Sequence, residues 1–167
     1  MAEAPKVYVG NRDDVDAVMA LALAGSEENG FVDPSPARML AEIWPALTLD
    51  NGIVGLIGKD RGNLEGAVLL RIGKMWYSDQ EVLEEKAIFI HPNHRSSKGA
   101  RARYLCQFSK KMSDGLGLPL IIGVLSNYRT EGKIRLYQRQ FGKPSGAFFL
   151  YGAKTGFVKD EADGRKN

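Results

Sequence analysis

The chain has 167 residues, 44% of them hydrophobic, with 23 lysines and arginines against 20 aspartates and glutamates. That length is enough for one domain with a real core, and a formal charge of +3 is too small to claim nucleic acid as a partner. A single cysteine, Cys106, excludes an internal disulfide framework; no apolar run approaches the ~18 residues of a membrane span and no signal peptide is legible, so a soluble, cytoplasmic protein is expected.

In chain order, Lys6 to Val9 alternates as a first strand. Asn11 or Asp13 can then cap a helix with Val15, Val18, Met19 and Ala22 on one face. Gly25 to Pro36 reads as a loop, whose Glu27, Glu28, Asn29 and Phe31 either line a pocket or face solvent. A second helix is expected over Pro36 to Leu49, with Met39, Leu40, Ile43, Trp44 and Leu47 inward and Pro45 kinking or shortening it. After the Asn51-Gly52 turn, Ile53 to Ile57 and Leu64 to Ile72 form an antiparallel hairpin. An acidic link from Asp79 to Glu85 leads to an apolar strand at Ala87–Ile90, stopped by Pro92, which has no N–H for a sheet ladder.

The next stretch organises the rest. The turn from Asn93 to Ala100 carries Arg95, Ser96, Ser97, Lys98 and Gly99 with no acidic residue, and it opens a helix whose Ala102, Leu105, Cys106, Ser109 and Met112 recur at helical spacing. The first N–H groups of a helix have no internal partner and lie at the positive end of its dipole, so a basic turn there suits a diphosphate. Gly115 to Gly117 ends that helix, and Leu120 to Leu125 reads as a buried strand. A strand, a crossover helix and a second strand make a βαβ unit, so Ala87–Ile90 and Leu120–Leu125 should run parallel. Thr130 is expected to cap a further helix with Ile134, Leu136, Tyr137 and Phe141, and Ala147–Tyr151 reads as a closing strand able to pair across a homodimer. Residues 1–152 are expected to form one domain, with 153–167 a charged tail.

Two segments resemble the GNAT superfamily of acyl-CoA-dependent N-acetyltransferases, which includes phage-encoded members. Pro92 to Ala100 (PNHRSSKGA) is similar to the family's pyrophosphate loop, Arg/Gln-x-x-Gly-x-Gly/Ala, with Arg95 and Ala100 on the pattern and Lys98 where glycine is usual. Leu136 to Gly142 (LYQRQFG) looks like Leu-Tyr-x-x-x-Gly-Phe with the last two residues exchanged, and Thr130 stands where many members carry asparagine. The resemblance, running from Tyr8 to about Tyr151, implies an α/β GNAT fold: a mixed central sheet splayed between two parallel strands, with flanking helices. It implies acetyl-CoA (acyl-CoA) as co-substrate, lying along Ile88, Phe89 and Ile90, with its phosphates on residues 95–100, Arg101 and Thr130 nearby, and a primary amine as acceptor.

Acyl transfer to an amine needs a base, because an amine of pKa about 10.4 is neutral in only about one molecule in a thousand at pH 7. Glu84 and Glu85 precede the cofactor strand where some members carry such a glutamate; Asp79, Glu27, Glu28 and a water relay compete with them. Tyr137 matches the family's general-acid tyrosine, and a phenol can protonate the departing thiolate. The carbonyl oxygen would be held by a backbone N–H near Ile88–Ile90. His91 and His94 flank Pro92 without a third ligand at metal spacing, so no metal is expected, and Cys106 on an apolar helix face is not a nucleophile. Two other readings stand beside the enzyme: a CoA-binding module without turnover, and a nucleobase-modifying relative, which Lys110, Lys111, Lys133, Arg135 and Arg139 would permit.

Overall fold

The structure is a computed structural model that describes residues 6–95, 100–127 and 129–153. The expected Ser96, Ser97, Lys98 and Gly99 and residues 154–167 of the charged tail lie outside the described residues. Its elements in chain order are β1 (Tyr8–Val9), α1 (Val15–Asn29), α2 (Pro36–Leu47), β2 (Gly52–Asp60), β3 (Asn63–Lys74), β4 (Glu81–Ile90), α3 (Ala100–Leu116), β5 (Leu120–Ile121) and α4 (Thr130–Phe141). The strands form one sheet in the order β1-β2-β3-β4-β5, antiparallel except for the parallel pair of β4 and β5.

Helices cover both faces of this sheet. Val18, Leu21 and Ala22 of α1 and Ile43, Ala46 and Leu47 of α2 bury against Val54, Leu56 and Ala67 on one face. Leu105 and Phe108 of α3 bury against Ile57, Val68, Leu70 and Leu83 on the other. At about 25 cal/mol per Å² of apolar surface removed from water, these two clusters are the main term holding the helices to the sheet.

Several expectations need correction. The loop expected from Gly25 begins later: α1 runs to Asn29 and ends on Gly30 in the left-handed conformation (φ 63°). Gly25 lies inside the helix, and the ring of Phe89 fills its side-chain space, 2.2 Å from where a Cβ would stand. Asn11 does cap, accepting from the Asp13 N–H, but it caps a short helical turn at Arg12–Asp14 that leads into α1. In α2, which starts at a Ser35 cap, Ile43, Ala46 and Leu47 are buried while Leu40 and Trp44 are 41% and 43% exposed. The stripe therefore turns through Ala46 rather than through Trp44. Pro45 falls in the last turn, and the helix ends at Leu47.

The acidic link is shorter than expected, because β4 already starts at Glu81 and pairs with β3 through Lys74↔Glu81. β5 keeps only Leu120–Ile121 of the apolar run, and Ala147–Tyr151 is not a strand. β5 offers an edge of only two residues, and Phe148, Phe149 and Tyr151 are exposed. Thr130 is the first residue of α4 rather than its cap; the cap position is Arg129, in the left-handed conformation (φ 56°). The Thr130 hydroxyl instead donates to the Ser126 carbonyl at 2.7 Å. Among the described residues, no helix is long and apolar enough to cross a membrane.

Candidate active site

The site grows from one irregularity in β4. Its register against β3 steps from Leu70↔Glu85 to Leu69↔Ala87, leaving Lys86 as an extra residue, a β-bulge. Backbone groups of a strand alternate between its two edges, so an extra residue exchanges the edges from there onward. Leu83, before the bulge, donates its N–H to Pro119 on the β5 side, whereas His91, after it, donates to Glu65 on the β3 side. Without the bulge both would face the same edge. Past it, Ala87 and Phe89 turn their N–H groups to β3, while Ile88 and Ile90 turn theirs outward.

The pairing of β4 with β5 covers only Leu83↔Leu120 and Glu84↔Ile121. Beyond it the two chains part. The outward amides of Ile88 and Ile90 therefore face an edge with no paired strand among the described residues. Of the three residues expected to bind the co-substrate through backbone, Ile88 and Ile90 are so oriented and Phe89 is not; its ring packs into the cluster beneath α1 instead.

The bulge also sorts the two candidate glutamates. Glu84 lies on the face of Gly73 and pairs with Lys86 at 2.9 Å, away from the cleft. Glu85 lies on the α3 face, where its carboxylate accepts the Gly123 N–H at 3.3 Å. Burial pushes the Glu85 carboxyl up to about 7, with the Gly123 N–H and the Lys133 ammonium opposing the rise. Tyr137 of α4 is close enough to feel Glu85: its phenol is pushed well above its ordinary value, first by burial, then by the charge of Glu85. The Cys106 thiol is itself pushed up to about 12 by burial and by Glu85, so it stays protonated and is no nucleophile. Glu85 and Tyr137, expected in catalytic roles, are thus brought together; Glu84 is not. Glu27 and Asp79 are exposed, and Glu28 is held by Arg95.

Lys133 carried no site expectation, although it stands one helical turn before Tyr137 and shares its face. Its ammonium donates to Ser126 Oγ at 2.8 Å. Burial, then Arg95, lower its pKa, while Glu28 and Glu85 counteract and Arg129 adds to the fall. Of the cations named as permitting nucleic acid, Lys133 turns inward and Lys110 donates to the Gln140 carbonyl at 3.0 Å.

The two described arginines of the expected phosphate turn have protein partners. Arg95 donates from Nε to the outward carbonyl of Ile90 at 3.1 Å and pairs with Glu28 at 2.9 Å, bridging the end of β4 to the end of α1. Arg101 donates to the His94 carbonyl at 3.0 Å and to Glu65 at 3.1 Å, and His94 Nδ1 lies 3.1 Å from the same Glu65 oxygen. Ala100 does open α3, so the turn leads to a helix N-terminus as expected. Asn127 donates to the Asn29 carbonyl at 2.8 Å, a second link between α1 and the far side of the cleft. Among the described residues no cluster of three or more His, Cys, Asp or Glu side chains could hold a metal.

A five-stranded mixed sheet, parted between β4 and β5 and flanked by helices on both faces, is the GNAT fold. Solved structures share it along most of their length. An integron cassette protein from the mobile metagenome of Cole Harbour Salt Marsh is 22% identical, with a TM-score of 0.63 over 89% of this chain and 90% of that one. An aminoglycoside N-acetyltransferase in complex with CoA is 15% identical, with a TM-score of 0.63 over 90% and 97%. Ribosomal-protein-alanine N-acetyltransferase from Brucella melitensis biovar Abortus 2308 is 16% identical, with a TM-score of 0.63 over 89% and 99%. At these identities the likeness is one of fold. No protein-family model matches the chain. No curated protein matches it either.

Proposed function

We propose that the chain is an acyl-CoA-dependent N-acyltransferase that moves an acetyl or other short acyl group to a primary amine by direct attack. The observation that carries this reading is the placement of Glu85, held near neutrality by burial, beside Tyr137 and next to the strand edge that Ile88 and Ile90 leave open. The named acetyltransferases among the structures of the same fold, one of them a CoA complex, support it.

Each residue has a task in this reading. Glu85 in its ionised form takes the proton from the attacking amine, and a base whose pKa lies near the working pH is the efficient choice. The Ile88 or Ile90 N–H donates to the carbonyl oxygen as charge builds there. Tyr137 stays protonated and donates to the sulfur as the C–S bond breaks. The two groups are coupled. Once Glu85 holds the amine proton, its charge no longer raises the Tyr137 pKa, so uptake of one proton eases release of the other. An open strand edge fits the amide-bearing arm of acyl-CoA, which can pair along it as an added strand. Its phosphates fall to the turn that ends at Ala100 and to the first N–H groups of α3. Arg95 would have to exchange Glu28 or the Ile90 carbonyl for phosphate to take part.

The test is to supply acetyl-CoA with a panel of amines and follow free thiol. Release that depends on the amine supports the reading. Tight CoA binding with no amine-dependent release would replace it with a binding module.

A further inference from the structure

α1 and α2 leave a groove over the sheet of about 310 Å³. That is the small end of the range for small-molecule sites. Val18, Ala22, Ile43, Ala67, Leu69 and Phe89 make most of its lining apolar, so a hydroxyl-rich ligand would leave polar groups unsatisfied there. Its polar residues include Arg38, Glu42 and Lys86. Glu42 is shared between Arg38 at 3.7 Å and Arg71 at 3.4 Å, and Lys86 is paired with Glu84 at 2.9 Å. Three cations thus meet two carboxylates, leaving a positive surplus. The Arg38 side chain is 78% exposed, and its approach to Glu42 is too long for a hydrogen bond, so its fork can turn to an incoming carboxylate. A polycation would be repelled at the same place.

The groove reaches β4 at Lys86, Ala87 and Phe89, on the face of the sheet opposite the Glu85 carboxylate. We propose that it is the acceptor site, and that it takes a compact primary amine with an apolar body and a single carboxylate. Its role as acceptor site and the primary amine rest on the acyltransferase reading; the apolar body and the carboxylate do not. The apolar body lies on the aliphatic floor, the carboxylate meets Arg38, and the amine is presented toward the edge of β4 where the acyl group would sit.

Calorimetric titration of the whole protein with L-leucine, leucinamide and spermidine, without an acyl donor, tests the ligand chemistry. Leucine should bind, leucinamide about tenfold more weakly and spermidine not at all; Arg38→Ala should weaken leucine by about tenfold, as loss of one charge-assisted contact does. Ala87→Leu should fill the groove and abolish leucine binding, and Arg38, being exposed, keeps the test valid if that variant folds poorly. Spermidine binding as tightly as leucine, leucine affinity unmoved by Arg38→Ala, or no binding of leucine would overturn the proposal. Adding acetyl-CoA separates the two claims. Leucine that binds but never promotes thiol release removes the acceptor role while sparing the groove's ligand chemistry, and the absence of release with every amine of the panel removes the transferase reading. Release with spermidine but not with leucine removes the groove's acceptor role and spares the transferase reading.

Discussion

Glu85 is held at a pKa of about 7 against 4.5 for an ordinary glutamate, and that preference has a sign. The folded protein holds this proton more tightly than the unfolded chain does. Its contribution is therefore most favourable below about pH 4.5 and is lost as the pH rises through about 7. Glu85→Gln, which cannot ionise, should be more stable than the wild type at pH 8 by up to roughly 3 kcal/mol and nearly equal to it at pH 4, read from denaturant melts at both values. Turnover should move the opposite way. It should climb through pH 7 in the wild type, whereas Glu85→Gln should lose about a hundredfold and show no such limb. Lys133 stabilises the ionised form of Glu85, so Lys133→Met should push the rising limb of the pH–rate profile to higher pH; an unmoved limb would separate Lys133 from the base. Tyr137→Phe keeps the ring that stacks edge-on with Phe141 and removes only the hydroxyl. It should cut turnover about a hundredfold while CoA affinity, read by calorimetry, stays nearly the same.

At the scale of elements, β4 carries both the site and the lesson about reading it from sequence. The strand–turn–helix–strand order was legible, because Pro92, the basic turn and the glycines after Leu116 punctuate it in ways that follow from backbone chemistry. The bulge was not. Nothing in Glu84-Glu85-Lys86 announces which residue is extra, yet that choice decides which glutamate enters the cleft and which amides face outward. Tyr137 was singled out through its motif, whereas Lys133 looked like surface charge because its burial depends on how α4 docks. Gly25 misled for a related reason: a glycine reads as a loop signal until Phe89, distant in sequence, is seen to occupy its side-chain space. In an open helix Gly→Ala would gain about 1 kcal/mol, but here the added methyl would meet the Phe89 ring. Gly25→Ala should therefore destabilise by about 1–3 kcal/mol in a thermal or urea melt, and a stabilised variant would show that the ring can move aside.

For the whole molecule, the two apolar layers fix the helices on either side of the sheet, and the short pairing of β4 with β5 leaves the sheet open beyond Glu84 and Ile121. Glu85 and the outward amides of Ile88 and Ile90 lie at that opening. Its far side is tied to α1 by Asn127, and Arg95 ties the end of β4 to the same helix. Amide hydrogen exchange, resolved by residue with and without acetyl-CoA, reads the opening directly. Free protein should exchange Ile88 and Ile90 quickly and Ala87 and Phe89 slowly, and acetyl-CoA should slow Ile88 and Ile90 alone. Equal protection of all four amides in the free protein, or no slowing of Ile88 and Ile90 at saturating acetyl-CoA, would contradict the account.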